Sequence, residues 1–204
     1  GESFPDVISE HCRQRGLGRV GYEPEGITAG MLSALIGAGG VNFVPVTGMV
    51  EARRRCKGAN ELRAIEAAVA ISDTAIEAAA TLLRVGVSER DIAQEIEMQM
   101  RRLGSEEPAF PTIVASGLRS ALPHAVPTDR TLQVGDLVCI DCGATVNGYR
   151  SDITRDWVVG EPTNEQNYFY AAVMRAYNQA LSLVRPGTSS KVINAAARAE
   201  FVNA

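Results

Sequence analysis

Asn147-Gly148 is the strongest folding instruction in the chain. Both residues tolerate positive φ, as the two central positions of a type I′ turn require. The flanking segments, around Leu137–Ile140 and Trp157–Val159, are apolar and β-branched or aromatic and read as strands. A two-residue loop sets the register. Val146 faces Tyr149, Gly143 faces Asp152 and Asp141 faces Thr154. Side chains alternate along each strand, and directly opposed residues share a face. Asp141 and Asp152 therefore fall on one face as diagonal neighbours, ~7–8 Å apart at Cα. Carboxylates at that reach repel unless a cation lies between them, and two metal ions about 3.5–4 Å apart would fit that face. A three-residue loop would instead separate the pair onto opposite faces. Gly143, without a side chain, is expected to leave room beside Asp152 for a metal or substrate. The pattern alone leaves two readings open: a metal or catalytic pair, and a solvated pair of strand aspartates.

Elsewhere the 204 residues carry an ordinary globular balance, 46% hydrophobic and 22% charged. A net charge of −4 gives no electrostatic reason to expect nucleic acid or an anionic membrane as partner. No apolar run approaches the roughly 20 residues of a spanning helix. The first residues have neither the basic start nor the apolar core of a signal peptide. The expected location is cytoplasmic. The four cysteines, Cys12, Cys56, Cys139 and Cys142, are too scattered for a disulfide framework. Cys139 and Cys142 spell CxxC, but an odd separation on a strand sends the sulfurs to opposite faces. Reduced thiols acting as small apolar residues are the reading.

Residues 1–50 suggest a βαβ unit, with a strand at Arg19–Tyr22, a helix from Thr28 to about Ile36 and a strand at Val41–Val46. From Asn60 the pattern is helical: Leu62, Ile65, Val69, Ile76 and Leu83 recur at a spacing of three, four or seven, and alanines fill the same face, where they would let another element approach closely. Ser88, with Asp91 three residues on, caps a second helix that Gly104 ends. Residues 106–160 read as strand and turn. Thr163 and Gln166 form a capping box for a helix to about Val184. A last helix starts near Ser189 or Ser190, and nothing from Ala195 to Ala204 would cap it. With a first residue that is not methionine, this reads as a piece of a longer protein.

Gly16-Leu-Gly-Arg-Val-Gly21 matches GxGxxG, but a polar stretch precedes it and Glu23-Pro24 follows. The dinucleotide fingerprint needs a strand before and a helix after, so a nucleotide site is rejected. Of the two histidines, His11 sits in a polar helix-like stretch. His124, between Pro123 and Pro127, could donate a proton or hydrogen bond to a substrate, or be a plain surface histidine.

Three stretches together carry a resemblance. They are Phe110-Pro-Thr-Ile-Val-Ala-Ser-Gly to His124, Val134-Gly-Asp-Leu-Val-Cys-Ile-Asp-Cys-Gly, and Asn147-Gly-Tyr-Arg-Ser-Asp-Ile-Thr-Arg. The chain resembles the pita-bread metallopeptidases, closest to the Xaa-Pro aminopeptidases and prolidases. The resemblance implies an α+β pita-bread fold. Residues 1–52 would be the end of a creatinase-like N-terminal domain. Residues 53–204 would be the first portion of the catalytic domain. It implies that Asp141 chelates one metal, that Asp152 bridges two, and that His124 contacts the substrate near the scissile bond. The cofactors would be two divalent ions, Mn, Co, Zn or Fe. The implied activity is hydrolysis of Xaa-Pro peptide bonds by metal-activated water, in a homodimer, on a peptide containing proline. The family's other ligands, a histidine and two glutamates, have no counterpart in residues 1–204, so this stretch alone is expected to be inactive. Asp156 and Cys142 depart from the family's usual residues. Two other functions stand beside this one on the same fold: a non-catalytic peptide- or protein-binding module, and a creatinase-like small-molecule hydrolase. A chain ending here is expected to leave Val138, Ile140 and Val158 facing water, with the helices at 60–103 and 164–184 covering the opposite face.

Overall fold

The computed structural model describes residues 3–202. Two compact units divide the chain, Gly1–Ala59 and Asn60–Ala204. The first contains α1 (Phe4–Gln14), β1 (Arg19–Tyr22), α2 (Ala29–Gly37), β2 (Asn42–Pro45) and α3 (Met49–Arg55). β1 and β2 pair in parallel, Arg19 against Asn42 through Tyr22 against Pro45, with α2 in the crossover. This is the βαβ unit expected from the sequence. Thr28 caps α2 through its hydroxyl, which accepts from the Met31 N–H at 3.2 Å.

The second unit contains α4 (Ala59–Ala80) from its second residue on, α5 (Glu89–Arg102), β3 (Ile113–Ser116), β4 (Leu137–Cys142), β5 (Thr145–Val146), β6 (Tyr149–Arg150), β7 (Ile153–Val158), α6 (Asn164–Ser182) and α7 (Ser190–Val202). Ser88 caps α5 as expected, its hydroxyl accepting from the Asp91 N–H at 3.1 Å. Ile92, Ile96 and Met100, spaced by four, are fully buried along one stripe of that helix. β4 is central in an antiparallel sheet ordered β3–β4–β7. The core gathers Ile92, Ile96 and Met100 from α5, Ala68, Ala75, Ile76 and Ala79 from α4, and Val114, Val138, Ile140 and Cys142 from the sheet. Each fully buried isoleucine, valine or methionine there contributes about 1.5–3 kcal/mol.

The loop and register match the sequence reading. Asn147 and Gly148 have φ of 50° and 73°, as a type I′ turn demands. Val146 pairs with Tyr149, and Asp141 with Thr154. The Glu106 carboxylate fastens the turn by accepting the Asn147 and Gly148 N–H groups at 2.7 and 3.2 Å.

Three expectations are corrected. The buried face of α4 is Ala64, Ala68, Ser72, Ala75, Ile76 and Ala79, while Leu62 and Val69 are exposed. The alanines and Ile76 of the expected face are buried and Leu83 packs against the core, so the correction concerns Leu62 and Val69 alone. Val138 and Ile140 do not face water. Both are fully buried in the core, and Val158 is half-buried. The more open side of β4 carries Cys139 and Asp141 instead. Finally, α6 packs along α7 and contributes no residue to the core cluster. Its Ala172 and Ala176 are buried, and Phe169, Val173 and Tyr177 are exposed.

Candidate functional site

Strand alternation selects the face. Val138, Ile140 and Cys142 point into the core, so Cys139 and Asp141 point the other way. Asp141 lies opposite Thr154 on β7 and Ile113 on β3, and Cys139 lies opposite Asp156.

Asp152 is aimed by its neighbour. The Ser151 hydroxyl is buried, lies 2.7 Å from the Ser72 hydroxyl and reaches the Ala68 carbonyl on α4 at 3.1 Å. The Ala144 N–H donates to both hydroxyls, at 3.0 Å to Ser72 and 2.9 Å to Ser151. With Ser151 tied toward α4, the next residue turns away from it, and Asp152 is exposed on the side of Asp141. The register on both sides brackets Gly143 against Asp152. Gly143 does not leave a vacant space, however. A Cβ there would stand 2.0 Å from the Ser151 carbonyl oxygen and 2.8 Å from Ala109 Cβ. The glycine permits close backbone approach, and the room expected beside Asp152 is filled.

Asp141 is an uncomfortable carboxylate. Burial pushes its pKa up, the Thr154 hydroxyl pulls it down, Asp152 pushes it up and His124 pulls it down, with a net rise. Its Oδ1 is buried and has no hydrogen-bond partner. Charges on Asp152 and His124 are thus both felt at Asp141. His124 is exposed, in the segment between the 3-10 turn Gly117–Ala121 and β4. Burial, with Asp156 alongside, raises the Cys139 thiol to about 12, and burial raises Cys142 to about 12. Both thiols therefore stay protonated at neutral pH and offer neither a nucleophile nor a thiolate ligand. Asp156 lies directly opposite Cys139 across the strand pair, and its charge disfavours the Cys139 thiolate.

An orphaned, desolvated carboxylate oxygen beside a second carboxylate fits a divalent cation, which prefers oxygen donors. Among the described residues no group of three or more His, Cys, Asp or Glu side chains is placed to hold one. Two carboxylates are a partial donor set.

Sequence reasoning passed over Glu89. Its side chain is fully buried and bound by Ser116, Thr128 and Arg119. An acidic residue after an N-cap serine reads as a dipole complement on a helix surface, and its tertiary partners lie 27 and 39 residues away. The backbone of residues 128–131 pairs with the start of α5, through Glu89 N–H to the Arg130 carbonyl, Arg90 N–H to the Thr128 carbonyl and the Ser88–Thr131 bridge, and this brings Thr128 to the Glu89 carboxylate.

Residues 63–204 match the metallopeptidase family M24. An uncharacterized peptidase of Bacillus subtilis is 36% identical over 97% of this chain and 56% of its own length. An Xaa-Pro dipeptidase of Pyrococcus horikoshii is 42% identical over 76% of this chain and 44% of its own. The solved Xaa-Pro dipeptidase of Bacillus anthracis superimposes with a TM-score of 0.95 at 33% identity, covering all of this chain and 57% of that one. The chain spans about half the length of the relatives it matches. No described helix is long and apolar enough to cross a membrane.

Proposed function

We propose, since this chain belongs to the metallopeptidase family M24, that its carboxylate face is part of the metal centre of a peptidase acting on Xaa-Pro bonds. The fold is the family's α+β pita-bread fold. The observation that carries the proposal is Asp141 Oδ1, buried and unpartnered beside Asp152. Asp141 would chelate one divalent ion and Asp152 would bridge two, drawn from Mn, Co, Zn or Fe. Bound ions would supply a nucleophilic water at neutral pH and polarise the scissile carbonyl.

The chain's own residues have narrower tasks. Thr154, directly opposite on β7, favours the charged form of the Asp141 carboxylate. The Ser72–Ser151 pair holds the backbone that aims Asp152. His124, exposed and within electrostatic reach of Asp141, would donate a hydrogen bond to the substrate near the scissile bond. The proline preference, a cytoplasmic location and a homodimer belong to the same proposal.

Two measurements test it. Mn titrated into residues 1–204 should bind weakly, and more weakly still in Asp141→Asn and Asp152→Asn; equal binding in all three sinks the metal assignment. Because the described residues give each ion too few ligands, this stretch should hydrolyse a Xaa-Pro dipeptide at a negligible rate. In the whole protein each aspartate variant should lower kcat/KM by at least about a thousandfold, an effect on the scale of losing a group that stabilises transition-state charge.

A further inference from the structure

We propose that Glu89 is a positioning residue that holds the His124 segment beside the carboxylate face. This rests on the reading of His124 as a substrate contact, but the geometry of the brace does not. The fully buried Glu89 carboxylate binds both ends of the segment at once. Its Oε1 accepts from the Ser116 N–H at 2.8 Å and the Ser116 hydroxyl at 2.7 Å. Its Oε2 accepts from the Thr128 N–H at 3.0 Å and the Thr128 hydroxyl at 2.7 Å.

Ser116 ends β3 and Thr128 follows Pro127, so residues 117–127, His124 among them, form a loop closed on one side chain. Arg119 extends the brace into the loop. Its Nε donates to Glu89 Oε2 at 3.3 Å, and its Nη2 donates to the Val126 carbonyl at 2.7 Å. His124 thus sits between two anchored points, Arg119 and Val126, with Ala125 beside it buried. A second clamp backs the first, since Arg130 donates to the Ser116 hydroxyl and to both Asp136 oxygens. An exposed loop kept in one geometry by charge-assisted hydrogen bonds at its base loses less order than its surface position implies.

The test uses histidine-labelled residues 1–204, whose only other histidine is His11, assigned by His11→Gln. Glu89→Gln turns an amide N–H toward donors that need an acceptor, at one end of the loop or the other. The His124 imidazole signals should shift and narrow toward those of a free side chain. The Leu122 amide, which donates within the loop to Arg119, should exchange at least about tenfold faster, the effect of one lost hydrogen bond on a local opening equilibrium. Glu89→Asp should restore the signals in part. Arg119→Gln cuts the partly exposed arm of the brace and should give a weaker form of the same change even if Glu89→Gln fails to fold. Imidazole signals and Leu122 exchange unchanged in Arg119→Gln, and in Glu89→Gln where it folds, overturn the proposal. Mn binding in the same samples separates the two readings. A brace that fails with metal binding intact leaves the peptidase assignment standing, and the reverse result leaves the brace standing.

Discussion

Glu89 and Asp141 are both carboxylates drawn out of water, and the fold treats them in opposite ways. Burial would raise Glu89, but the bonds from Thr128 and Ser116 outweigh it and hold its pKa below the usual range. Burial raises Asp141, one Thr154 bond opposes it, and a second carboxylate adds to the rise. One site is saturated with donors; the other keeps an oxygen with none. A buried polar group without a partner is rare in folded proteins and calls for a partner supplied from outside. The contrast therefore separates a carboxylate that builds structure from one that waits for a ligand.

The largest expected effect comes from removing the saturated group. Glu89→Ala leaves two N–H groups and two hydroxyls facing each other in a dry site, and should cost about 3–5 kcal/mol in urea unfolding at pH 7. A cost under about 1 kcal/mol would break the comparison, because Glu89 would then be no more structural than a surface residue. The pH dependence follows from the sign of the shift. A depressed native pKa contributes stability above the unfolded value of ~4.3 that is lost as pH falls through the native one. Asp136, lowered by Arg130, acts in the same direction. Glu89→Ala should therefore lose less stability than the parent on acidification below about pH 4.

How far the sequence carried this depends on the range of each interaction. The turn at Asn147-Gly148, the register of Asp141 against Thr154 and the cap at Ser88 are set by residues close in sequence, and all were legible. On α4 the alanines and Ile76 were legible as a packing face, whereas spacing alone could not tell that Leu62 and Val69 lie at its exposed margin. Gly143 was read for what it lacks, although the Ser151 backbone already occupies that place. Glu89 was invisible because its partners are remote in the chain.

Gly143→Ala and Ser72→Ala sharpen the other side of the comparison, the scaffold beneath the aspartates. The alanine Cβ at position 143 would press on the Ser151 carbonyl, which is backbone and cannot swing aside. The expected cost is about 3 kcal/mol, the upper range of overpacking. Ser72→Ala leaves Ser151 to serve the Ala144 N–H alone and should cost about 1 kcal/mol. Thermal unfolding of the two variants should preserve that order; the reverse order would place the rigid contact at the hydroxyl pair.

The smallest effect has the opposite sign. Asp141→Asn removes a charge that burial and Asp152 both oppose. In metal-free buffer at pH 7 it should be neutral or stabilising, by about 1 kcal/mol or less. The pH dependence is opposite to that of Glu89. A raised native pKa contributes stability below the unfolded value of ~3.9, and this is lost as pH rises through the native one. The advantage of Asp141→Asn should therefore grow from pH 4 upward and vanish at more acid pH, where the parent carboxyl is protonated too. Saturating Mn should reverse it, because a cation that binds only the folded parent stabilises that chain alone. Urea unfolding of both chains with and without Mn reads all of this. A destabilised Asp141→Asn in metal-free buffer would mean that Asp141, like Glu89, is already satisfied by the protein, and the distinction between the two carboxylates would fall.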